Sequence, residues 1–172
     1  MAPALALALA PVGLSGCTGK SGGKARPAGE SLPPFAKPTL DGKRMDLEDL
    51  RGQVVLVNVW ATWCEPCKKE MPELARLHRE HRGEGFTVVG VSVDVARARK
   101  HVERLVDDFQ LPYPILLDPE SEALKVFEVD GYPTSILIGR DGTKRWRRDG
   151  IIEDGDAELA EAIATALAEP AS

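Results

Sequence analysis

The sequence has too few cysteines for a four-cysteine zinc centre. Its three, Cys17, Cys64 and Cys67, make one close pair and one residue left over. It lacks a long hydrophobic run: the stretch from Met1 to Val12 is apolar and uncharged, yet shorter than the ~20 residues that span a bilayer. It has no excess of positive charge, and a net charge of −5 argues against nucleic acid as a main partner. No internal repeat is evident. What remains, 43% hydrophobic and 28% charged over 172 residues, suits one soluble globular domain with a tail.

The run M-A-P-A-L-A-L-A-L-A-P-V fits the apolar core of a secretion signal, and L-S-G-C at Leu14–Cys17 resembles the bacterial lipoprotein box. That resemblance implies a signal over 1–16 and lipid on Cys17; no Lys or Arg precedes the run, which departs from the pattern. Residues 18–31 are rich in Gly, Ser, Lys and Pro without apolar periodicity, a composition that cannot bury enough surface to order itself. Such a tether averages roughly 20 Å end to end. The folded domain is expected over 32–172.

Within that domain, Asp41-Gly42 between short runs predicts a hairpin. V-V-L-V-N-V-W (Val54–Trp60) and T-V-V-G-V-S-V-D (Thr87–Asp94) read as strands buried on both faces. Between them, Leu74, Leu77 and His78 mark a helical stripe. After them, Ala98, Val102, Leu105, Val106 and Phe109 recur at helical spacing. Pro114–Leu117 is a short apolar run, and Asp118-Pro119 predicts a helix start with Asp as N-cap. Residues 134–138 and 143–147 flank an Asp141-Gly142 turn, and Leu159, Ile163 and Leu167 mark a last amphipathic helix. This alternation gives a three-layer α/β domain around a mixed sheet.

Cys64 and Cys67 lie where the first long strand passes into a helix. A helix N-terminus favours negative charge and so a thiolate, and the second cysteine, three residues on, comes within disulfide reach. A strand-to-helix CxxC reads as a redox motif. The alternatives are a metal clip, which wants further ligands, and a structural staple, which gains little by closing so short a loop.

The stretch V-L-V-N-V-W-A-T-W-C-E-P-C-K-K-E-M-P resembles the TlpA/ResA branch of the thioredoxin superfamily. D-L-R-G-Q, V-S-V-D and G-Y-P-T-S extend the likeness from about Phe35 to Leu167. The resemblance implies a thioredoxin-like fold with an N-terminal hairpin and an inserted helix–strand unit. It implies a membrane-tethered thiol–disulfide oxidoreductase without a cofactor, with Cys64 as attacking thiolate and Cys67 as resolving thiol. Trp63, Glu65, Pro66, Tyr132 and Pro133 become candidate substrate contacts, with Pro133 matching the family's cis-proline. An unpaired backbone edge there would pair with an extended client segment. Protein disulfides, apocytochrome c among them, are the implied clients, and a membrane electron donor the implied partner for re-reduction. The implied place is the extracytoplasmic face of the envelope.

Thioredoxin carries a buried Asp where this chain has Asn58, which cannot exchange a proton. Glu70, three residues past Cys67 on the same helix face, is the replacement candidate; from spacing alone a solvated Glu is favoured, and the resemblance moves it to proton handling. Pro72 either interrupts the active-site helix or opens a later one. Glu65 disfavours a thiolate, while Lys68 and Lys69 favour it. His78 and His81 share a helix face but stand among Arg76, Arg79 and Arg82, so they read as solvated rather than as metal ligands. Lys144–Arg148 reads as a charged edge strand. Two rivals stand beside the oxidoreductase. A peroxiredoxin-type peroxidase would want Thr and Pro where Ala61 and Asn58 stand, and a Cu(I) carrier would use both thiolates and a distant His.

Overall fold

Seven consecutive buried residues, Val54–Trp60, form the strand β3 on which the domain is built. Successive side chains point to opposite faces, so this burial requires cover on both sides of the sheet. In the computed structural model, which describes Met1, Ser31 and residues 34–170, the hairpin strands β1 (Ala36–Pro38) and β2 (Arg44–Asp46) come first. After β3 follow α1 (Glu65–His81), β4 (Phe86–Ser92), α2 (Arg99–Asp108), β5 (Ile115–Leu117) and α3 (Glu122–Val126). Strands β6 (Thr134–Ile138) and β7 (Lys144–Asp149) and helix α4 (Ala157–Ala168) complete the order. The expected signal, the Cys17 lipid site and the tether lie outside the described residues.

The main sheet has the order β5-β4-β3-β6-β7. β4 pairs parallel with β3 and β6 antiparallel, so the sheet is mixed and β3 central. Both turn signals hold: Gly42 (φ 85°) and Gly142 (φ 77°) take the left-handed conformation that only glycine adopts freely. The β1–β2 hairpin lies against β5, through a bridge from Thr39 to Leu116 and a hydrogen bond from Leu40 N–H to the Ile115 carbonyl (2.9 Å). Lys37 secures it, its ammonium 2.8 Å from the fully buried Asp118 and 3.0 Å from Glu122. No helix among the described residues is long and apolar enough to cross a membrane.

Two expectations are corrected, and one open alternative is decided. The helix expected at Asp118-Pro119 begins at Glu122. Asp118 instead closes a turn, its carbonyl accepting from Ser121 N–H (2.9 Å), and its carboxylate reaches ahead to accept from Ala123 N–H (2.7 Å). Pro72 does not open a later helix; it lies inside the continuous α1. His78 is not solvated. It shares the buried stripe of Met71, Leu74 and Ala75, and its Nδ1 accepts from Val88 N–H (3.2 Å). Burial, with Arg82 and Arg79 nearby, pushes its pKa down and keeps the ring neutral.

A candidate dithiol active site

β3 and β4 run parallel in register, Trp60 opposite Ser92, so their C-terminal ends emerge side by side. Two residues past that pair on each strand stand Thr62 and Asp94. The Asp94 carboxylate accepts from Thr62 N–H at 2.9 Å and from the Thr62 hydroxyl at 2.6 Å, and also from the Ser92 hydroxyl at 2.9 Å. This clamp holds the short link from β3 to the cysteines. Asp94 was missed as a site residue because only the strand register reveals it.

Cys64 is the N-cap of α1, with extended backbone (φ −88°, ψ 102°), and Glu65 and Pro66 form its first turn. Its sulfur accepts from Cys67 N–H at 3.2 Å, placing sulfur where a capping oxygen usually sits, against unpaired amides and the positive end of the helix dipole. Cys64 and Cys67 form a disulfide, their Cα atoms 5.3 Å apart. Both are buried, Cys64 at 5% exposure and Cys67 at 1%. Glu65 is ion-paired with Lys68 (2.6 Å), so the opposed influences of those two residues on the dithiol largely cancel.

Glu70 lies one turn beyond Cys67 and is 1% exposed. Its Oε1 accepts from Asn58 Nδ2 (2.7 Å) and its Oε2 from Ile152 N–H (2.8 Å), while the same Asn58 amide donates to Ser135 Oγ (2.9 Å). Burial raises its pKa to about 7, against the opposing pull of those two hydrogen bonds. Spacing alone favoured a solvated Glu; packing against β3 buries it. Ser135 and Ile152 could not have been found from sequence, since they are partners only across the folded sheet.

Trp63 is 65% exposed beside Cys64, with its ring edge-on to Tyr132, centroids 5.5 Å apart. The Tyr132–Pro133 peptide is cis, and the Pro133 carbonyl accepts from Gly150 N–H (2.8 Å). Burial, with Asp118 and Asp94 nearby, raises the Tyr132 pKa. Other sequence candidates lie elsewhere. His81 pairs with Glu84 (3.2 Å), and no metal-binding cluster of His, Cys, Asp or Glu occurs among the described residues. The basic run lies on β7, an edge of the sheet, where its arginines are engaged within the chain. Arg147 donates to the carbonyls of Phe127 and Glu128, and Arg148 pairs with Asp156 (2.9 Å).

Comparison with known proteins agrees with this geometry. Residues 28–147 match the AhpC/TSA family. The chain is 34% identical over 114 residues to the thiol-disulfide oxidoreductase ResA of Bacillus subtilis, covering 66% of this chain and 63% of that protein. It is 36% identical over 115 residues to the thioredoxin-like protein YneN of the same organism, covering 66% of each. The match thus spans just under two thirds of these curated relatives. Among solved structures, a thiol:disulfide interchange protein of the thioredoxin family from Chlorobium tepidum superposes with a TM-score of 0.70 at 28% identity, covering 84% of this chain and 99% of that one. The fold is thioredoxin-like.

Proposed function

The chain belongs to the AhpC/TSA family, and from that premise we propose that it is a thiol–disulfide oxidoreductase that reduces disulfides of envelope proteins at Cys64 and Cys67. The observation that carries this reading is a closed Cys64–Cys67 disulfide at the N-terminus of α1, on the same helix as a buried carboxyl. In the reduced protein the Cys64 thiolate attacks one sulfur of a client disulfide. A mixed disulfide forms, and the client's other sulfur leaves as a thiolate that takes up a proton. The Cys67 thiolate then attacks Cys64 Sγ, closing the protein's own disulfide and releasing the second client thiol. Two electrons pass from the dithiol to the client.

Glu70 suits the proton steps. With a pKa of about 7 it holds a proton over part of the neutral range and can give or take one without a large driving force. Pro133's carbonyl is already taken by Gly150, so an extended client segment would pair with the backbone at Tyr132 rather than at Pro133 itself. The finer reading places the protein on the extracytoplasmic face of the envelope, held through lipid on Cys17 by the 18–31 tether. There it would act on protein disulfides such as those of apocytochrome c and be re-reduced by a membrane donor. The names of its relatives, ResA among them, support the chemistry.

The test is a pair of variants assayed with a protein disulfide substrate. Cys64→Ser should abolish reduction, while Cys67→Ser should accumulate mixed disulfides through Cys64. Normal turnover by the Cys67 variant would sink the mechanism.

A further inference from the structure

One face of α2 is unaccounted for by this chemistry. His101, Arg104, Leu105 and Asp108 recur at i, i+3, i+4 and i+7, and with Thr62 and Trp63 they line a groove of about 310 Å³. Its apolar surface is Trp63, 65% exposed next to Cys64, facing the half-buried Leu105. Arg104 is exposed, and its side chain makes no hydrogen bond or ion pair among the described residues; the same holds for Lys100, one turn earlier, and for His101. By contrast, Arg99 on another face of the helix is paired with Glu103 (2.9 Å). Asp108 also lines the groove, one turn after Arg104 and at the C-terminal end of α2. In a protein of net charge −5, Arg104 thus lines, without a partner among the described residues, a groove that includes Trp63, the residue before Cys64.

We propose that this groove binds the client polypeptide alongside its disulfide, selecting an acidic residue close to the client cysteine with an apolar side chain next to it. The inference rests on the oxidoreductase reading and names its substrate class. The apolar side chain lies between Trp63 and Leu105, and the carboxylate reaches Arg104, whose planar guanidinium matches a carboxylate with two parallel N–H donors. Lys100, one turn earlier on the helix, extends the attractive field. Asp108 repels the carboxylate at the C-terminal end of α2, which gives the segment a direction. Because Trp63 precedes Cys64 directly, a chain bound here remains beside the mixed disulfide.

The experiment uses the full-length protein, reduced, and three synthetic peptides. Each peptide has one disulfide and is flanked by Glu-Leu, Lys-Leu or Ser-Leu. Second-order rates of peptide reduction are measured at low and high salt. The wild type should reduce the Glu peptide on the order of tenfold faster than the Lys peptide, with the Ser peptide between, and high salt should erode the difference. Arg104→Glu should reverse the order, and Asp108→Asn should widen it. Both positions are exposed, so unchanged melting curves will show that each variant is folded. Equal wild-type rates for the three peptides, or an unchanged preference in Arg104→Glu, would overturn the proposal. So would equal peptide rates with Arg104-dependent sedimentation on phosphatidylserine vesicles, which would assign the cations to a lipid surface. Hydroxyethyl disulfide serves as a neutral control on the wild type. Failure to reduce it would remove the oxidoreductase reading itself, whereas unequal charge preference is a separate measurement.

Discussion

Asp94 grips Thr62 twice, one carboxylate oxygen taking the backbone N–H at 2.9 Å and the other the hydroxyl at 2.6 Å. The two residues are joined only through the parallel pairing of β3 and β4, so the link leading to the cysteines is fastened to the neighbouring strand. Replacing Asp94 by Ala leaves a backbone donor and two hydroxyls without their acceptor inside the protein. The expected loss is about 2–4 kcal/mol, given ~1.5–3 for a hydrogen bond to a charged group and further cost for stranded partners. Urea unfolding of the oxidised protein measures it, and a loss below about 0.5 kcal/mol would show that the clamp is dispensable.

Stability should also carry the signature of Glu70. Its folded pKa of about 7 is raised above the ordinary 4.5, so its contribution is full below the unfolded value and is lost as pH rises through the folded one. Between about pH 4.5 and 7 the wild type should lose about 3 kcal/mol from this group, at about 1.4 kcal/mol per unit. Glu70→Gln should flatten that slope in denaturant melts taken across the range. His78 acts in the opposite sense, since its depressed pKa gives stability that is present above the ordinary histidine value and lost as pH falls through the folded one. The slopes are therefore compared between wild type and Gln variant, both of which keep His78.

The same variant tests the chemistry. Removing a carboxylate near the dithiol removes like-charge repulsion, so the apparent pKa of the attacking thiol should fall. Reduction at neutral pH should slow as well, because the departing thiolate loses a proton donor. Alkylation rate against pH reads the first effect and turnover the second. Superimposable curves with equal turnover would make Glu70 a structural residue only.

Arg140 ties three separate segments together, donating to the carbonyls of Gly52 (2.6 Å), Glu84 (3.1 Å) and Leu167 (3.4 Å). Arg140→Ala should cost about 1–3 kcal/mol, with little change in the alkylation profile of the cysteines. A shifted profile would mean that this distant tie reaches the dithiol.

The proposed lipid anchor predicts that Cys17→Ser moves the protein from the membrane to the soluble envelope fraction, since without that sulfur no acyl chain is attached. Fractionation followed by immunoblotting decides it. Continued membrane association would require a different anchor.

The central strand was legible because six apolar residues in a run of seven, broken only by Asn58, have few other uses; Val54–Trp60 runs as expected. The two Asp-Gly turns were legible for a similar reason, a backbone conformation that glycine alone adopts easily. Other readings failed where neighbours in sequence were poor guides to neighbours in space. His78 sits among arginines along the chain, but the helical period carries it to the face of Met71 and Leu74. Asp118 looked like an adjacent N-cap, yet it caps across an intervening turn in which Ser121 takes a positive φ of 57°. Around the cysteines, sequence pointed to Glu70 but not to what holds it, because Asn58, Ser135 and Ile152 converge only in the assembled sheet.

That convergence bears on the order of folding. The disulfide joins residues three apart, a closure open to a chain with no tertiary structure. The bonds from Asn58 to Ser135 and from Ile152 to Glu70 span 77 and 82 residues, and such distant contacts form only after loop-closure entropy has been overcome. A nascent chain in an oxidising compartment can therefore acquire its disulfide while its carboxyl is still in water, titrating as an ordinary Glu. The tuned acid is a product of the completed fold, and its arrival marks the moment at which a peptide with two cysteines becomes a tuned redox site.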